Sequence, residues 1–232
     1  MRYSDIFIDL DDTVYDTRNN AIEALHDTFE EFGLGRWFPD PEVFHEAYWQ
    51  ANMELWRLYS KNEIERQYLI IERFRRPLAL AFEASEEYCQ RMSDRFLELC
   101  VSKPGVIAGA HEMLAYLKAC GCRLHIASNG FREIQYRKME AAGLAQYFDS
   151  VILSEDAGAN KPSEVFFDYA LKQTGASRET SLMIGDNYDN DVVGALDYGM
   201  DAMLFNRWDT SFVPPRKVTY LVNALSEVQS LI

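Results

Sequence analysis

Two aspartates one residue apart follow a short apolar run near the amino terminus. The run is Ile6-Phe7-Ile8, and Asp9 and Asp11 come directly after it, where a buried strand would end. Side chains at i and i+2 of a strand share a face, so both carboxylates can point into one pocket. Such close like charges are tolerated if a cation lies between them or if one carboxyl keeps its proton. Both conditions suit a site where one carboxylate attacks and the other transfers a proton.

Further apolar runs alternate with helical patterns after residue 104, and they predict the elements that must position these aspartates. The runs are Arg123–Ala127, Ser150–Leu153, Ser181–Ile184 and Ala202–Phe205, with Val218–Leu221 as a possible last strand before a short helix. Strands that alternate with helices favour a parallel sheet with right-handed crossovers. The run at Ile6 has the same character and is expected to join that sheet. The predicted fold class is α/β, with an all-helical unit inserted after the first strand.

The inserted unit reads as helix from residue 18 to about residue 101. One helical pattern covers Glu42–Tyr59, and the next begins near Asn62. That helix is expected to stop before Pro77, because proline disfavours helix in the residue that precedes it. A last helix is predicted for Ser85–Cys100, with Ser85 as its N-cap.

Polar residues follow the predicted strands at the sheet edge where ligands bind in parallel sheets. Ser128-Asn129-Gly130 ends the second strand, Asn160-Lys161-Pro162 lies beyond the third, and Gly185–Asp191 follows the fourth. Each segment alone has a purely structural explanation as a helix cap, a turn or a solvated lysine. The set in order, each piece at a strand end, favours a functional site.

The acidic run after the fourth strand resembles a calcium-binding loop at first glance. With Asn187, Asp189 and Asp191 as ligand positions, Val192 stands where that loop needs glycine, and Tyr198 stands where it needs glutamate. The calcium-loop interpretation therefore fails.

Together these segments resemble the four motifs of the haloacid dehalogenase superfamily, most of whose members are magnesium-dependent phosphatases. The matching residues are DxDxT at Asp9–Thr13, a hydroxyl residue at Ser128, a lysine at Lys161, and GDxxxxD at Gly185–Asp191. The helical insert lies where one large subfamily carries its cap domain.

The resemblance implies a Rossmann-like catalytic core formed by residues 1–15 and 101–232. Residues 16–100 would form a helical cap that closes over the site and excludes water. Arg18, Trp49, Trp56 and Arg57 of this cap are residue types that touch a base or a sugar. Packing of the tryptophans in the cap core is an equally open explanation.

The resemblance also implies a role for each motif residue in phosphoryl transfer. Asp9 attacks phosphorus and forms an aspartyl-phosphate. Asp11 protonates the leaving-group oxygen and then deprotonates the water that hydrolyses the intermediate, while Thr13 helps to orient this pair. Ser128, Asn129 and Lys161 then hold the phosphate oxygens, on which charge is concentrated in the transition state.

A magnesium ion completes the expected site, because a dianionic phosphate ester repels a carboxylate nucleophile. The resemblance assigns Mg²⁺ to the Asp9 carboxylate, the Asp11 backbone carbonyl and Asp186. Asp191 would orient this shell without direct ligation, and Asp189 competes with it for that role.

Asp11 favours a phosphatase over a 2-haloacid dehalogenase, since a halide leaves without needing a proton. The DLDDT motif and the helical cap resemble those of the branch of the superfamily whose nucleotidases hydrolyse pyrimidine nucleoside monophosphates. Sugar-phosphate and phosphoglycolate phosphatases share this layout, and a phosphomutase is a close variant. A binding protein that keeps the fold without turnover is the rival from another class, and the complete set of catalytic groups disfavours it.

Composition limits the partners of the 232-residue chain. Its formal net charge of -14 disfavours a nucleic-acid polymer or an anionic membrane, but it leaves small anionic substrates open. The four cysteines lack paired CxxC spacing and read as reduced thiols. We therefore expect a cytoplasmic enzyme that acts on a small phosphate monoester.

Overall fold

A computed structural model describes residues 2–209 and 211–232 of the chain. These residues form a six-stranded parallel sheet in the order β3-β2-β1-β4-β5-β6. The strands are β1 Asp5–Ile8, β2 Arg123–Ser128, β3 Ser150–Leu153, β4 Ser181–Gly185, β5 Asp201–Phe205 and β6 Tyr220–Val222. The predicted α/β fold with a parallel sheet is confirmed.

The helices connect and flank these strands. They are α1 Thr17–Glu31, α2 Pro41–Ser60, α3 Arg66–Leu78, α4 Glu86–Ser102, α5 Ala110–Ala119, α6 Arg132–Ala141, α7 Ser154–Ala157, α8 Glu164–Thr174 and α9 Gly194–Asp197. Short 3-10 turns and one π-helical turn, Tyr188–Val193, lie between them. Within the described residues, no helix combines the length and the apolar character that a membrane span needs.

Strand β1 is fully buried and lies between β2 and β4. Its last residue, Ile8, is in register with Ile126 of β2 and with Ile184 of β4. The N–H of Asp9 still donates to the carbonyl of Ile184, at 2.9 Å. The carboxyl ends of the three central strands therefore lie at one edge of the sheet, and the residues that follow them are brought together.

The chain divides into two compact units, a helical unit Arg18–Lys103 and a unit that contains the sheet. The sequence analysis placed the boundaries at 15/16 and 100/101. The structure divides the chain at 17/18, after the first residue of α1, and at 103/104, one residue after the end of α4 at Ser102. Ser85 caps α4 as predicted, and its hydroxyl accepts from the N–H of Tyr88 at 3.2 Å.

Helix α3 differs from its prediction at both ends. It begins at Arg66 and not near Asn62, because Asn62 has a φ of 57° in the turn that ends α2. It also contains Pro77, which lies in the last turn of the helix. The missing N–H removes only one bond there, and the N–H of Ala79 still donates to Arg75 at 3.0 Å.

Aromatic side chains form the core of the helical unit. Tyr48 is buried, and its ring centroid lies 5.1 Å from that of Phe74 and 5.4 Å from that of Phe96. Trp49 packs against the same core, and Trp56 contacts the ring of Tyr59 at 5.6 Å. These contacts support the packing explanation for Trp49, whereas Trp56 is half-buried and contacts an aromatic ring outside that core.

A buried polar network ties the amino ends of β1, β2 and β3 together. His125 Nε2 lies 3.0 Å from Asp5 Oδ1, and His125 Nδ1 lies 2.6 Å from Ser150 Oγ. Arg123 pairs with the same aspartate at 2.6 Å. Burial lowers the pKa of His125 below its ordinary value of 6.5, although Asp5 opposes the shift.

We expect this histidine to make the folded state less stable in acid. The unfolded chain binds a proton at His125 near pH 6.5, whereas the folded chain resists it, so unfolding takes up protons as the pH falls below that value. The variant His125→Gln should lose less stability than the wild type between about pH 7.5 and about pH 5.5. Urea unfolding at both pH values measures the difference. The exposed His26→Gln is the control, and equal losses in all three proteins would refute the role of His125.

Candidate active site

The predicted site residues meet at the carboxyl edge of the sheet, within one compact unit. Asp9 follows β1, Ser128 ends β2, and Asp186 follows β4. Lys161 reaches the same place from the segment between α7 and α8. Motif residues that are far apart in the sequence therefore come together at one position.

Lys161 is the centre of the site, with only 1% of its surface exposed. Its Nζ donates to Asp9 Oδ1 at 2.7 Å, to Asp191 Oδ1 at 2.6 Å and to the carbonyl of Ala127 at 2.6 Å. These acceptors match the three donors of an ammonium group. Burial alone would lower the pKa of Lys161, but Asp191 and Asp9 outweigh it, and the pKa is raised. The lysine is therefore charged.

Asn129 braces the backbone of this lysine. Its Oδ1 accepts from the N–H of Lys161 at 2.8 Å, and its Nδ2 donates to the Lys161 carbonyl at 3.0 Å. The side chain thus fixes the segment that carries the ammonium. The predicted contact of Asn129 with phosphate stays a prediction.

Three carboxylates lie close enough to share a cation. Asp9, Asp186 and Asp191 each offer an oxygen, and these atoms lie within 4.8 Å of one another. Burial raises the pKa of Asp186 well above its ordinary value, and the charges of Asp9, Asp191 and Asp12 add to the shift. When fully ionised, the cluster carries more negative charge than Lys161 neutralises, and its carboxylate oxygens are the ligands that a hard divalent cation prefers.

The oxygens of Asp191 are already occupied by protein donors. Oδ1 accepts from Lys161, and Oδ2 accepts from the N–H of Asn187 at 3.0 Å. A Cβ at position 185 would lie 2.2 Å from Asp191 Oδ2, so only glycine fits beside this carboxylate. Asp189, its competitor in the sequence analysis, is exposed. Asp191 is therefore the acid that braces the cluster.

Thr13 connects the first motif to the last. Its hydroxyl accepts from the N–H of Asp186 at 3.1 Å and lies 3.4 Å from Asp9 Oδ2 and 3.5 Å from Asp186 Oδ1. Asp12 has a φ of 60°, a left-handed conformation that aspartate tolerates better than most residues. The turn after β1 thus directs Thr13 back to the two carboxylates.

Asp11 is held by three donors that the sequence analysis did not identify. Lys138 Nζ lies 2.5 Å from Oδ1, Gln135 Nε2 lies 2.5 Å from Oδ2, and Thr17 Oγ1 lies 2.5 Å from Oδ1. Burial would raise the pKa of Asp11, but Lys138 and the hydrogen bonds outweigh it, and the pKa is lowered. Gln135 Nε2 also donates to Ser128 Oγ at 2.6 Å.

A sequence signal for Gln135 and Lys138 exists but is weak. The two residues are three positions apart on α6, and therefore share a helix face. This helix follows the Ser128 motif directly, so its first turns point towards the site. The signal is weak because α6 carries several other charged residues, and the residue type alone does not show which of them are buried.

The family model for haloacid dehalogenase-like hydrolases matches residues 6–205. The pyrimidine 5'-nucleotidase YjjG of Escherichia coli is 28% identical over 239 aligned positions, which cover 100% of this chain and 99% of that protein. The pyrimidine 5'-nucleotidase PynA of Streptococcus pneumoniae is 28% identical over 207 positions and covers 89% of this chain and 85% of its own length.

A solved structure supports the same relationship. The putative HAD-hydrolase YfnB of Bacillus subtilis, whose crystal structure was determined bound to magnesium, superposes with a TM-score of 0.89 at 26% identity. The match covers 100% of this chain and 99% of that one. The prediction of a hydrolase is confirmed, and the two named nucleotidases hydrolyse phosphate monoesters. The chain belongs to the haloacid dehalogenase-like hydrolase family.

Proposed function

We propose that this hydrolase is a magnesium-dependent phosphatase that releases phosphate from a small monoester through an aspartyl-phosphate on Asp9. The observation that carries the proposal is the buried cluster in which Lys161 lies between Asp9 and Asp191, with Asp186 beside them. The full-length similarity to two pyrimidine 5'-nucleotidases favours a nucleoside monophosphate as the substrate. A cytoplasmic location and the action of the helical unit as a cap stay predictions.

The donor set fits Mg²⁺. Asp9 Oδ2 and the Asp186 carboxylate have only long contacts with Thr13 among the described residues, at 3.4 and 3.5 Å, and both lie in the charged cluster. With the backbone carbonyl of Asp11 they are the proposed ligands, and Asp191 orients them. Bound there, Mg²⁺ reduces the repulsion between the phosphate dianion and the carboxylates.

Each residue of the site then has a separate role in the proposed reaction. Asp9 attacks phosphorus, a bond forms between its Oδ and phosphorus, and the bond to the leaving oxygen breaks. Asp11 gives a proton to that oxygen and later takes one from the water that hydrolyses the aspartyl-phosphate. Lys161 and Ser128 offset the charge on the phosphoryl oxygens. Thr13 holds the loop of the nucleophile.

Asp9→Asn should abolish phosphate release, because an amide oxygen is a poor nucleophile and cannot form the aspartyl-phosphate. The measurement is phosphate release with Mg²⁺ from nucleoside monophosphates, sugar phosphates and phosphoglycolate. Asp189→Asn, an exposed aspartate at the same sheet edge, is the control and should keep wild-type turnover. Turnover by the Asp9 variant would contradict the covalent mechanism, and the preferred member of the panel would identify the substrate class.

Asp186→Asn should weaken Mg²⁺ binding, since it removes one of the charged oxygens from the cluster. Ligand binding stabilises a folded protein by about 2.7 kcal/mol at 100 times its Kd. Mg²⁺ should therefore raise the melting temperature of the wild type, and much less that of the variant. Calorimetric titration of both proteins with MgCl₂ gives the affinities directly. Equal affinities would remove Asp186 from the metal site.

Lys161→Met should both stop turnover and destabilise the protein. Loss of the ammonium leaves Asp9 and Asp191 buried without their cation, and breaking a buried ion pair costs about 3–5 kcal/mol. Urea unfolding in excess chelator measures this cost. Lys172→Met, at an exposed lysine on α8, is the matched control. Wild-type stability in the Lys161 variant would show that the ion pairs contribute little.

A further inference from the structure

Lys138, Gln135 and Thr17 surround the Asp11 carboxylate, and we refer to these three residues as the Asp11 clamp. Together they donate to both of its oxygens, each at 2.5 Å. Free rotation of the aspartate would break all of these bonds. The carboxylate is thus held in one orientation by side chains that belong to none of the four sequence motifs.

Lys138 has a single counter-ion in the described part of the chain. It is 7% exposed, and lysine is rarely buried without a partner. Among the described residues, Asp11 is the one acid within ion-pair distance of its ammonium, at 2.5 Å. The ring of Tyr15 lies 5.3 Å from the ammonium, close enough for a cation–π contact. The position of this lysine is therefore matched to Asp11.

Gln135 links Asp11 to Ser128, another residue of the site. Its Nε2 donates to Asp11 Oδ2 at 2.5 Å and to Ser128 Oγ at 2.6 Å, and the residue is fully buried. A Cβ at position 130 would lie 2.2 Å from this nitrogen, so Gly130 leaves the space that the amide fills. Backbone and side chains both accommodate the clamp.

We propose that Lys138 is a positioning residue that, with Gln135, aims the Asp11 carboxyl at the leaving-group oxygen. This role rests on the proposed phosphatase function and deepens it. As Asp9 forms its bond to phosphorus, the bond to the leaving oxygen breaks, and the electron pair on that oxygen takes the proton of Asp11. One donor of the clamp must release Asp11 while it carries that proton, and the remaining donors keep its direction.

The dependence of the rate on the leaving group distinguishes the positioning role of Lys138 from phosphate binding and from a purely structural role. An alkoxide such as a nucleoside 5'-oxygen needs a proton as it departs, whereas 4-nitrophenolate departs without one. A misaimed Asp11 therefore harms alkyl esters selectively. A lysine that bound phosphate would instead affect all esters alike, because they share the same phosphoryl group. A lysine that served only folding would change stability and leave the specific rate of folded enzyme unchanged.

The experiment compares wild type, Lys138→Met, Lys138→Arg and Gln135→Leu on a series of aryl phosphates and on a nucleoside monophosphate. The parameter is kcat/KM, which reports events up to departure of the leaving group. For Lys138→Met we expect a loss of about 100-fold on the alkyl ester, at the lower end of what general acid catalysis contributes. We expect little loss on 4-nitrophenyl phosphate, so the dependence on leaving-group basicity becomes steeper.

Lys138→Arg should recover much of the alkyl-ester activity, and Gln135→Leu should show a weaker form of the same pattern while Lys138 stays in place. Circular dichroism and urea unfolding establish that each variant is folded, and Lys172→Met is again the surface control. Equal losses on all esters, or no loss, would overturn the positioning role. A wild type that releases phosphate from no ester would overturn the proposed function itself, a result distinct from either.

Discussion

The buried ammonium of Lys161 is the interaction on which the rest of the site depends. A lysine with 1% of its surface exposed is stable only if acids surround it, and Asp9 and Asp191 satisfy this requirement at 2.7 and 2.6 Å. The dependence is mutual, because a cation between two carboxylates this close reduces their repulsion. Gly185 has no side chain and so leaves the space for Asp191. Asp9, the proposed nucleophile, is thus held by an ion pair that forms only in the folded chain.

The sheet explains why these charges meet. Strand β1 lies between β2 and β4 with Ile8, Ile126 and Ile184 in register, so the residues after these strands emerge together. Apart from His125 in β2, the interior positions of the central strands are apolar, and their polar residues lie at the strand ends. Burial of the strands therefore stabilises the fold, while the charged edge holds the groups of the proposed chemistry. Desolvation at that edge strengthens each electrostatic interaction within it.

The sequence predicted the parts of the site that lie next to strands. Asp9, Ser128 and Asp186 follow apolar runs, and a parallel sheet must bring such residues together. It could not predict Lys138 or Gln135, because their contribution depends on how α6 is rotated about its axis. The two bonds that Asn129 makes to the backbone of Lys161 depend likewise on loop conformation. The predicted start of α3 was wrong by four residues, because the turn at Asn62 carries no strong sequence signal.

The charged side chains of the site form two groups that differ in their ratio of acids to lysines. Asp11 and Lys138 form a balanced pair, at 2.5 Å. Asp9, Asp186 and Asp191 share one ammonium, that of Lys161, and burial together with the charges of Asp9, Asp191 and Asp12 raises the pKa of Asp186. We therefore expect a divalent cation to bind the second group and not the Asp11 side chain. The clamp thereby keeps the proposed proton-transfer carboxyl separate from the proposed metal ligands, which agrees with the proposal that Asp11 contributes only its backbone carbonyl to the metal site.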